Sequence, residues 1–515
     1  MRIQRCPTHN IGAWPARRAE MAGDAVTVVE PECRLTYAEF EGRVRRCAGW
    51  LAERGTLPGE RIGILLSNRS AYLELVFAAA RLGAIAVPIN TRFAPPEIHQ
   101  ILSDCTPHLL VHEVELADGA ARACEGLPVP QCIPIGEGVD AYEAGLAGAQ
   151  PLSHVAAVAP DDPALLMYTS GSTGIPKGAL LPHRKVLFNC LNAQLFFDLT
   201  ARDRILVVLP MFHSFGLQIL ALPTFYVGGS IYFQQRFEPE AVWQLVSDAK
   251  LTFFGGVPTM FRALYDALVQ NSGAYDLRAL RFLFTAGAPI PVEIIESYEK
   301  LGLRLKQGFG QTETSILCCL DARDAVRKAG SVGKPVFHAE LRLVTPHSVA
   351  GPLDGWRDAA AGEVGEISVR GPIVMSGYWK RPERNAETLR EEGWLRTGDL
   401  ATRDAEGFIS LVGRSHEMYI SGGENVYPAE VEAVYATHPD IREIAVVGIP
   451  DAQWGEVGRA YVVLQPGSVL DGEAMRAWGS ERLARFKLPR EFVAVAELPR
   501  TVSGKVQKHR LLEEI

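Results

Sequence analysis

At Ala164 the chain enters an apolar run, Ala164-Leu165-Leu166-Met167-Tyr168, and leaves it through Thr169-Ser170-Gly171-Ser172-Thr173-Gly174-Ile175-Pro176-Lys177-Gly178. A short unbroken apolar run bounded by turn residues is the pattern of a buried strand. The segment after it is made of glycines, hydroxyls and one lysine. Glycine lets main-chain N–H groups approach a ligand closely, and successive N–H groups in such a turn form an anion-binding concavity. Thr169, Ser170, Ser172 and Thr173 add neutral donors, and Lys177 adds a cation able to follow a polyphosphate. A strand that empties into a phosphate-holding loop commits this region to a sheet with its ligand at a strand end, the habit of open α/β folds. A polar linker has a similar composition, but it needs neither a buried strand leading into it nor a lysine set between Pro176 and Gly178. The usual nucleotide P-loop reads Gly-x4-Gly-Lys-Ser/Thr. This stretch departs from it, because Pro176 precedes Lys177 and Gly178 follows it.

The same rhythm recurs along the chain. Arg61 to Leu66 reads as a buried strand, Asn68 as a cap for a helix over Arg69 to Leu82 that Gly83 ends, and Ala84 to Pro88 as a second strand. That is a strand–helix–strand unit of the kind that builds parallel sheets. Further strands are expected at Ile205 to Leu209, Leu251 to Phe254 and Leu280 to Phe284. Residues 118–163 give weak signals, and 345–362 reads as a long turn before a strand at Glu366 to Arg370. After Gly413 the character changes. Pro428 opens a short helix with Val431, Val434 and Tyr435 on one face. Strands at Ile444 to Val447, Tyr461 to Leu464 and Phe492 to Val495 complete a small α+β module. Ser214 to Gln235 carries no charge, but Gln218, Pro223 and Gly228-Gly229 interrupt it. A buried helix, a turn and a buried strand are therefore expected there rather than a membrane span.

A chain of 515 residues is too long for one core and divides into at least two domains. With 52 basic and 60 acidic residues the net charge is −8, against the basic excess of a nucleic-acid-binding surface. The 9 cysteines include no Cys-x-x-Cys pair, and Cys318-Cys319 are awkwardly adjacent for a bridge, so a reduced, cytoplasmic chain is expected. Met1 to Asn10 lacks the apolar core of a secretory signal.

Further clusters carry chemistry. In Gln307-Gly308-Phe309-Gly310-Gln311-Thr312-Glu313-Thr314 an aromatic between two glycines can lie with its face open, as stacking on a purine requires. Glu313 supplies an oxygen ligand suited to Mg²⁺ on nucleotide phosphates. In Thr397-Gly398-Asp399-Leu400 the carboxylate of Asp399 can accept a pair of vicinal hydroxyls. Each also has a plainer reading, a strand end for the first and a turn aspartate for the second. His213, in Leu209-Pro210-Met211-Phe212-His213-Ser214-Phe215-Gly216, reads by itself as a packed residue beside aromatics, and Lys505, in Ser503-Gly504-Lys505, as a solvated surface cation.

Residues 168–178 resemble the phosphate loop of the adenylate-forming superfamily, which includes acyl- and aryl-CoA synthetases, adenylation domains and beetle luciferases. Motif order is similar to that of bacterial fatty-acyl-CoA ligases over nearly the whole chain. The resemblance implies an α/β fold with a large N-terminal domain of layered sheets and helices, 1–413, and a smaller, mobile α+β lid, 414–515. It implies ATP contacts at Thr169, Ser170, Gly171, Ser172, Thr173, Gly174 and Lys177, at Gly287 and Ala288, at Gly308, Phe309, Gly310, Gln311 and Thr312, and at Asp399, Arg414 and Lys505. Glu313 would hold Mg²⁺; His213, Gly308 and Gly310 would border the acyl site; Gly422 and Gly423 would line the CoA approach. Lys505, Thr173 and His213 stand at the catalytic positions. The family commonly has Tyr where this chain has Phe309, and Asp or Lys at the hinge where it has His416.

The implied reaction is carboxylic acid plus ATP and CoA giving acyl-CoA, AMP and pyrophosphate through an acyl-adenylate. The small-molecule partners are the acid, ATP and CoA, and the acid is expected to be a medium or long fatty acid. An aryl or alicyclic acid, or a carrier-protein thiol as acceptor, are the near alternatives. An ADP-forming phosphotransferase and a non-catalytic binding protein are readings of a different class.

Overall fold

The unit expected from Arg61 to Pro88 is present: strand Arg61–Leu65, helix Ser70–Arg81 and strand Ile85–Pro88, the two strands parallel in the register Ile62 to Ala86. Asn68 does not cap the helix. Arg69 occupies the cap position with no side-chain bond, and the N–H of Ser70 is taken by Glu30. The Asn68 amide instead donates to the carbonyls of Val207 (3.1 Å) and Leu209 (3.0 Å) and accepts from the N–H of Met211 (2.9 Å). Buried main-chain groups at a strand end need partners, and meeting that need outweighs the local capping preference.

The computed structural model describes residues 5–128, 131–136, 141–169, 176–271, 273–288, 290–421, 424–500 and 506–512. Its contacts divide the chain into two units, Met1–Glu340 with Val369–Leu395, and Leu341–Ser368 with Arg396–Ile515.

The first unit holds two large sheets. In one of seven strands the order is Gly377–Tyr378, Lys177–Pro182, Pro163–Thr169, Ile85–Pro88, Arg61–Leu65, Leu109–Glu113 and Cys132–Ile135. The last five run parallel, and the first two pair antiparallel at one edge. The other, of nine strands, has a parallel centre containing Arg204–Val207, Phe253–Gly256, Phe282–Ala286 and Leu305–Gln311, flanked by the antiparallel strand Ser315–Leu320. Strands buried on both faces by helices read as continuous apolar runs rather than alternations, which is why these were visible in the sequence. Under the nine-stranded sheet Trp243, Phe254, Phe261 and Tyr298 pack together fully buried. Each such side chain contributes on the order of 2–3 kcal/mol by leaving water.

The uncharged stretch folds as expected into helix, turn and strand, with one difference. Phe215–Ala221 is wound as a π-helix that runs into the α-helix Leu222–Val227. Gly228, at φ 93°, then turns the chain into the strand Ser230–Phe233. Among the described residues no helix is long and apolar enough to cross a membrane.

The second unit contains a four-stranded sheet in the order Glu340–Val344, Gly365–Arg370, Leu395–Arg403, Ile409–Arg414. It also contains a five-stranded sheet built on Ile441–Asp451 and Gly455–Leu464, to which Glu491–Ala494 adds in parallel. The helix Pro428–Tyr435 buries Val431 and Tyr435 against Val446 and Val462. The three strands expected after Gly413 lie in these elements.

Candidate functional site

The phosphate-type loop joins two antiparallel strands. Pro163–Thr169 and Lys177–Pro182 pair with Tyr168 opposite Gly178 and Thr169 opposite Lys177, and the helix His183–Phe197 starts only after the second strand. The P-loop arrangement, in which the loop opens directly into a helix N-terminus, is therefore absent at this position, and the ADP-forming reading loses its structural basis. Ser170, Gly171, Ser172, Thr173 and Gly174 lie outside the described residues. The strand leading in is fixed by Tyr168, whose hydroxyl donates to Asp104 at 2.6 Å; Arg381 pairs with the same carboxylate at 3.0 Å.

The aromatic–acidic cluster is also a hairpin. Leu305–Gln311 and Ser315–Leu320 pair antiparallel around the turn 312–314, with a bulge between Phe309 and Gly310. Gly308 pairs with Ala286 of the neighbouring strand, which sets Gly287 and Ala288 beside Gly308 and Phe309. Seven of the expected nucleotide residues, Gly287, Ala288 and Gly308 to Thr312, are thereby gathered at one end of one sheet, with Phe309 partly open. The two glycines are demanded by packing. A Cβ on Gly308 would stand 2.5 Å from the Phe284 ring, and one on Gly310 would stand 1.8 Å from the Ser315 carbonyl oxygen.

Glu313 sits in that turn, 7% exposed. Its carboxylate accepts from the Tyr378 hydroxyl at 2.7 Å, and its carbonyl accepts from the Met375 N–H at 2.9 Å. Tyr378 belongs to the edge strand paired with the loop-bearing hairpin, opposite Ala179, and its ring lies 5.5 Å beneath the Lys177 ammonium. The two large sheets of the first unit thus meet at Glu313 and Tyr378, which bring the phosphate-loop lysine and the candidate metal ligand to one place. A single carboxylate suits Mg²⁺, which keeps most of its shell as water and phosphate oxygen. Among the described residues no cluster of three or more His, Cys, Asp or Glu could hold a metal by itself.

His213 is half-buried, with its ring 4.7 Å from Phe212, and it immediately precedes the π-helical turn. Phe215, two residues further on, meets Phe284 edge-on at 5.4 Å.

Tyr378 and Lys185 are the residues the sequence did not point to. Lys185 is fully buried. Its ammonium donates to the Ser315 hydroxyl and, at 3.4 Å, to the Gln218 amide oxygen. Burial lowers its pKa to about 7; Glu313 acts in the opposite direction and Arg184 adds to the lowering. Charge at residue 185 left no periodic trace, since the helix His183–Phe197 is buried at Val186, Asn189, Cys190 and Ala193 as well.

In the second unit, Asp399 and Arg414 are cross-strand partners, and their side chains form an ion pair at 2.7 Å. Asp399 is buried and its N–H donates to the Thr397 hydroxyl at 3.1 Å. Gly398, at φ 73° within the strand Leu395–Arg403, directly precedes it. The two expected ribose contacts are therefore neighbours. His416 is exposed just beyond them. An open cleft of about 310 Å³ lined by Arg342, Asp358 and Arg403 lies in the same unit and includes none of the expected site residues. Lys505, Gly422 and Gly423 lie outside the described residues.

Comparison with known proteins finds the family described as AMP-binding enzyme over residues 15–379 and its C-terminal domain over 430–505. A feruloyl-CoA synthase of Amycolatopsis sp is 42% identical over 499 residues, 97% of this chain and 97% of that protein. An indoleacetate–CoA ligase of Aromatoleum aromaticum is 37% identical, covering 97% of this chain and 96% of its own. The long-chain-fatty-acid–CoA ligase FadD13 of Mycobacterium tuberculosis is 33% identical, covering 98% of each. The crystal structure of ATP-bound MatB from Rhodopseudomonas palustris superposes with a TM-score of 0.89 at 29% identity, over 98% of each chain.

Proposed function

This chain belongs to the AMP-binding enzyme family and is an AMP-forming acid–CoA ligase, and from that premise we propose that the acid it activates is an aryl acid with a short side chain. The observation that carries the proposal is the order of likeness: 42% to a feruloyl-CoA synthase and 37% to an indoleacetate–CoA ligase, against 33% to a fatty-acid ligase, all nearly full-length. The fatty acid expected from the sequence gives way to the aryl alternative.

In the first half-reaction the substrate carboxylate attacks the α-phosphorus of ATP and pyrophosphate leaves. The protein positions and stabilises charge rather than forming bonds. The loop 169–177 is assigned to the phosphates, with Thr173 and Lys177 as donors, and Gly287, Ala288 and Gly308 to Thr312 are assigned to the adenine. Asp399 takes the ribose hydroxyls, with Arg414 orienting it. His213, Gly308 and Gly310 border the acid. Glu313 would hold Mg²⁺, which when bound offsets phosphate charge. Lys505 is assigned to the carboxylate oxygen and the α-phosphate, where charge develops. In the second half-reaction the CoA thiol attacks the acyl carbon and AMP leaves. Gly422 and Gly423 are assigned to that approach, and His416 to the hinge of a lid beginning at 414.

A panel of hydroxycinnamic, indolic and fatty acids, scored for AMP release with and without CoA, tests the reading. A hydroxycinnamic acid should exceed every fatty acid by ~10-fold or more in kcat/KM, the scale on which a pocket separates such side chains. A fatty acid at the head of the panel, or ADP as the nucleotide product, would overturn it.

A further inference from the structure

Lys185 is a whole ammonium taken out of water, which is costly unless something uses it. Its surroundings show what it is tied to. It donates to Ser315 and Gln218, and the Ser315 hydroxyl donates to Gln218 at 3.2 Å. The Gln218 amide reaches the Ser214 hydroxyl at 3.2 Å and the Met167 sulfur at 3.1 Å. One turn further along the same helix, Asn189 donates to the Gln218 carbonyl and accepts from the Ile316 N–H at 3.4 Å.

Three segments converge on this hub. Met167 stands two residues before Thr169, in the strand that feeds the phosphate loop. Ser214 and Gln218 belong to the turn after His213, whose π-helical winding is a form that recurs at functional sites. Ser315 closes the turn of Glu313 and holds φ at 59°, a left-handed conformation that a residue other than glycine adopts only when its surroundings enforce it. The hydroxyl that Lys185 grips belongs to the strained residue itself.

We propose that Lys185 is a positioning residue for the adenylation half-reaction, locking the turn that presents Glu313 to the turn that follows His213. The inference rests on the acid–CoA ligase reading and assigns this chain's buried cation a task within it. Lys185 touches none of the residues assigned to the acid, the nucleotide or CoA; it acts through Ser315 and Gln218. Because the arrangement it fixes serves the metal–triphosphate side of the reaction, its loss should fall on the first half-reaction.

The test compares Lys185→Met, close in length and without donors, with wild type in two assays. One is acid-dependent ATP–pyrophosphate exchange; the other is thioester formation from supplied acyl-adenylate and CoA. The expected result is a fall of ~10–100-fold in exchange, mostly in kcat, with thioester formation within ~3-fold, the size of a displaced but intact catalytic group. Ser315→Ala should reproduce the split more weakly, and the double variant should be no worse than Lys185→Met alone. Equal losses in both assays would mark Lys185 as merely structural, and undiminished exchange would show it idle; either overturns the proposal. Absence of exchange in the wild type with any acid of the panel would instead overturn the ligase reading, and this inference with it.

Discussion

Two buried carboxylates of this protein are held in opposite ways. Asp399 meets its cation across one antiparallel strand pair: Arg414 is its register partner, about one-third exposed, and the bond is 2.7 Å. Glu313 sits in a turn, takes its hydrogen bond from Tyr378 on another sheet, and has as its nearby buried cation Lys185 on a helix. The first arrangement is local, wet on one side and cheap. The second removes an ammonium and a carboxylate from water together, and desolvation of that kind persists only with well-placed partners. The contrast teaches that the Asp399 pair is set by strand register, whereas the Glu313 environment is assembled by tertiary packing and carries the greater energetic stake.

The sharpest way to break this contrast is at the carboxylates' own chemistry. Glu313→Gln keeps shape and loses charge, and pyrophosphate exchange should fall ~100–1000-fold at saturating Mg·ATP, the range seen when a preorganised electrostatic group is removed. A loss no larger than that of Asp399→Asn, measured side by side, would erase the distinction.

Next in size is the effect of the buried ammonium on stability. The folded pKa of Lys185, pulled by burial to about 7, lies below its ordinary 10.5. Between those values the unfolded chain binds a proton that the folded chain has released, so wild-type stability rises with pH across that window and is lost as pH falls toward 7. Lys185→Met removes the dependence. The variant should be the more stable protein at and below about pH 7, by up to a few kcal/mol, and the advantage should shrink toward pH 10. Urea midpoints across that range check it, and a variant less stable than wild type at every pH would contradict the burial argument.

Asp399→Ala should raise the KM for ATP by ~10-fold, with kcat changed less, because one charged hydrogen-bonding group to a sugar contributes about 1.5–3 kcal/mol. Initial-rate kinetics with ATP varied would show it, and an unchanged KM would remove Asp399 from the ribose. The smallest effect belongs to Tyr378→Phe, which deletes one hydrogen bond to Glu313. A shift of ~3–5-fold in the Mg²⁺ concentration for half-maximal exchange corresponds to one neutral donor; no shift would mean that Tyr378 does not orient the carboxylate.

Much of this was legible beforehand where the cause is local. The strands around Leu165, Ile205 and Phe254 announced themselves because both faces of a parallel sheet are apolar. The glycines at 308 and 310 were read as leaving the Phe309 face open, although neighbouring atoms, Phe284 and the Ser315 carbonyl, also demand them. Asn68 misled, since its position before a helix fits capping, while the buried carbonyls of Val207 and Leu209 took its amide instead. The choice between a fatty and an aryl acid was not legible for a related reason, and likeness favours the aryl reading proposed above. Pocket walls for chains and rings are built from the same residue types, and full-length likeness to aryl-acid ligases, not any one motif, turned the reading.

The amino-acid order by itself determined the chemistry of the segments: a glycine–hydroxyl–lysine loop after a strand, an aromatic between two glycines and a carboxylate in one short run, and an aspartate in a Thr-Gly-Asp turn. Tertiary structure alone decided which of them share a surroundings. Lys185, Gln218 and Ser315 are far apart in the chain and carry no common pattern, and Tyr378 reaches Glu313 only because two sheets meet there. Periodicity reports which face of an element is buried; the partner waiting on the other side of that face is fixed by packing.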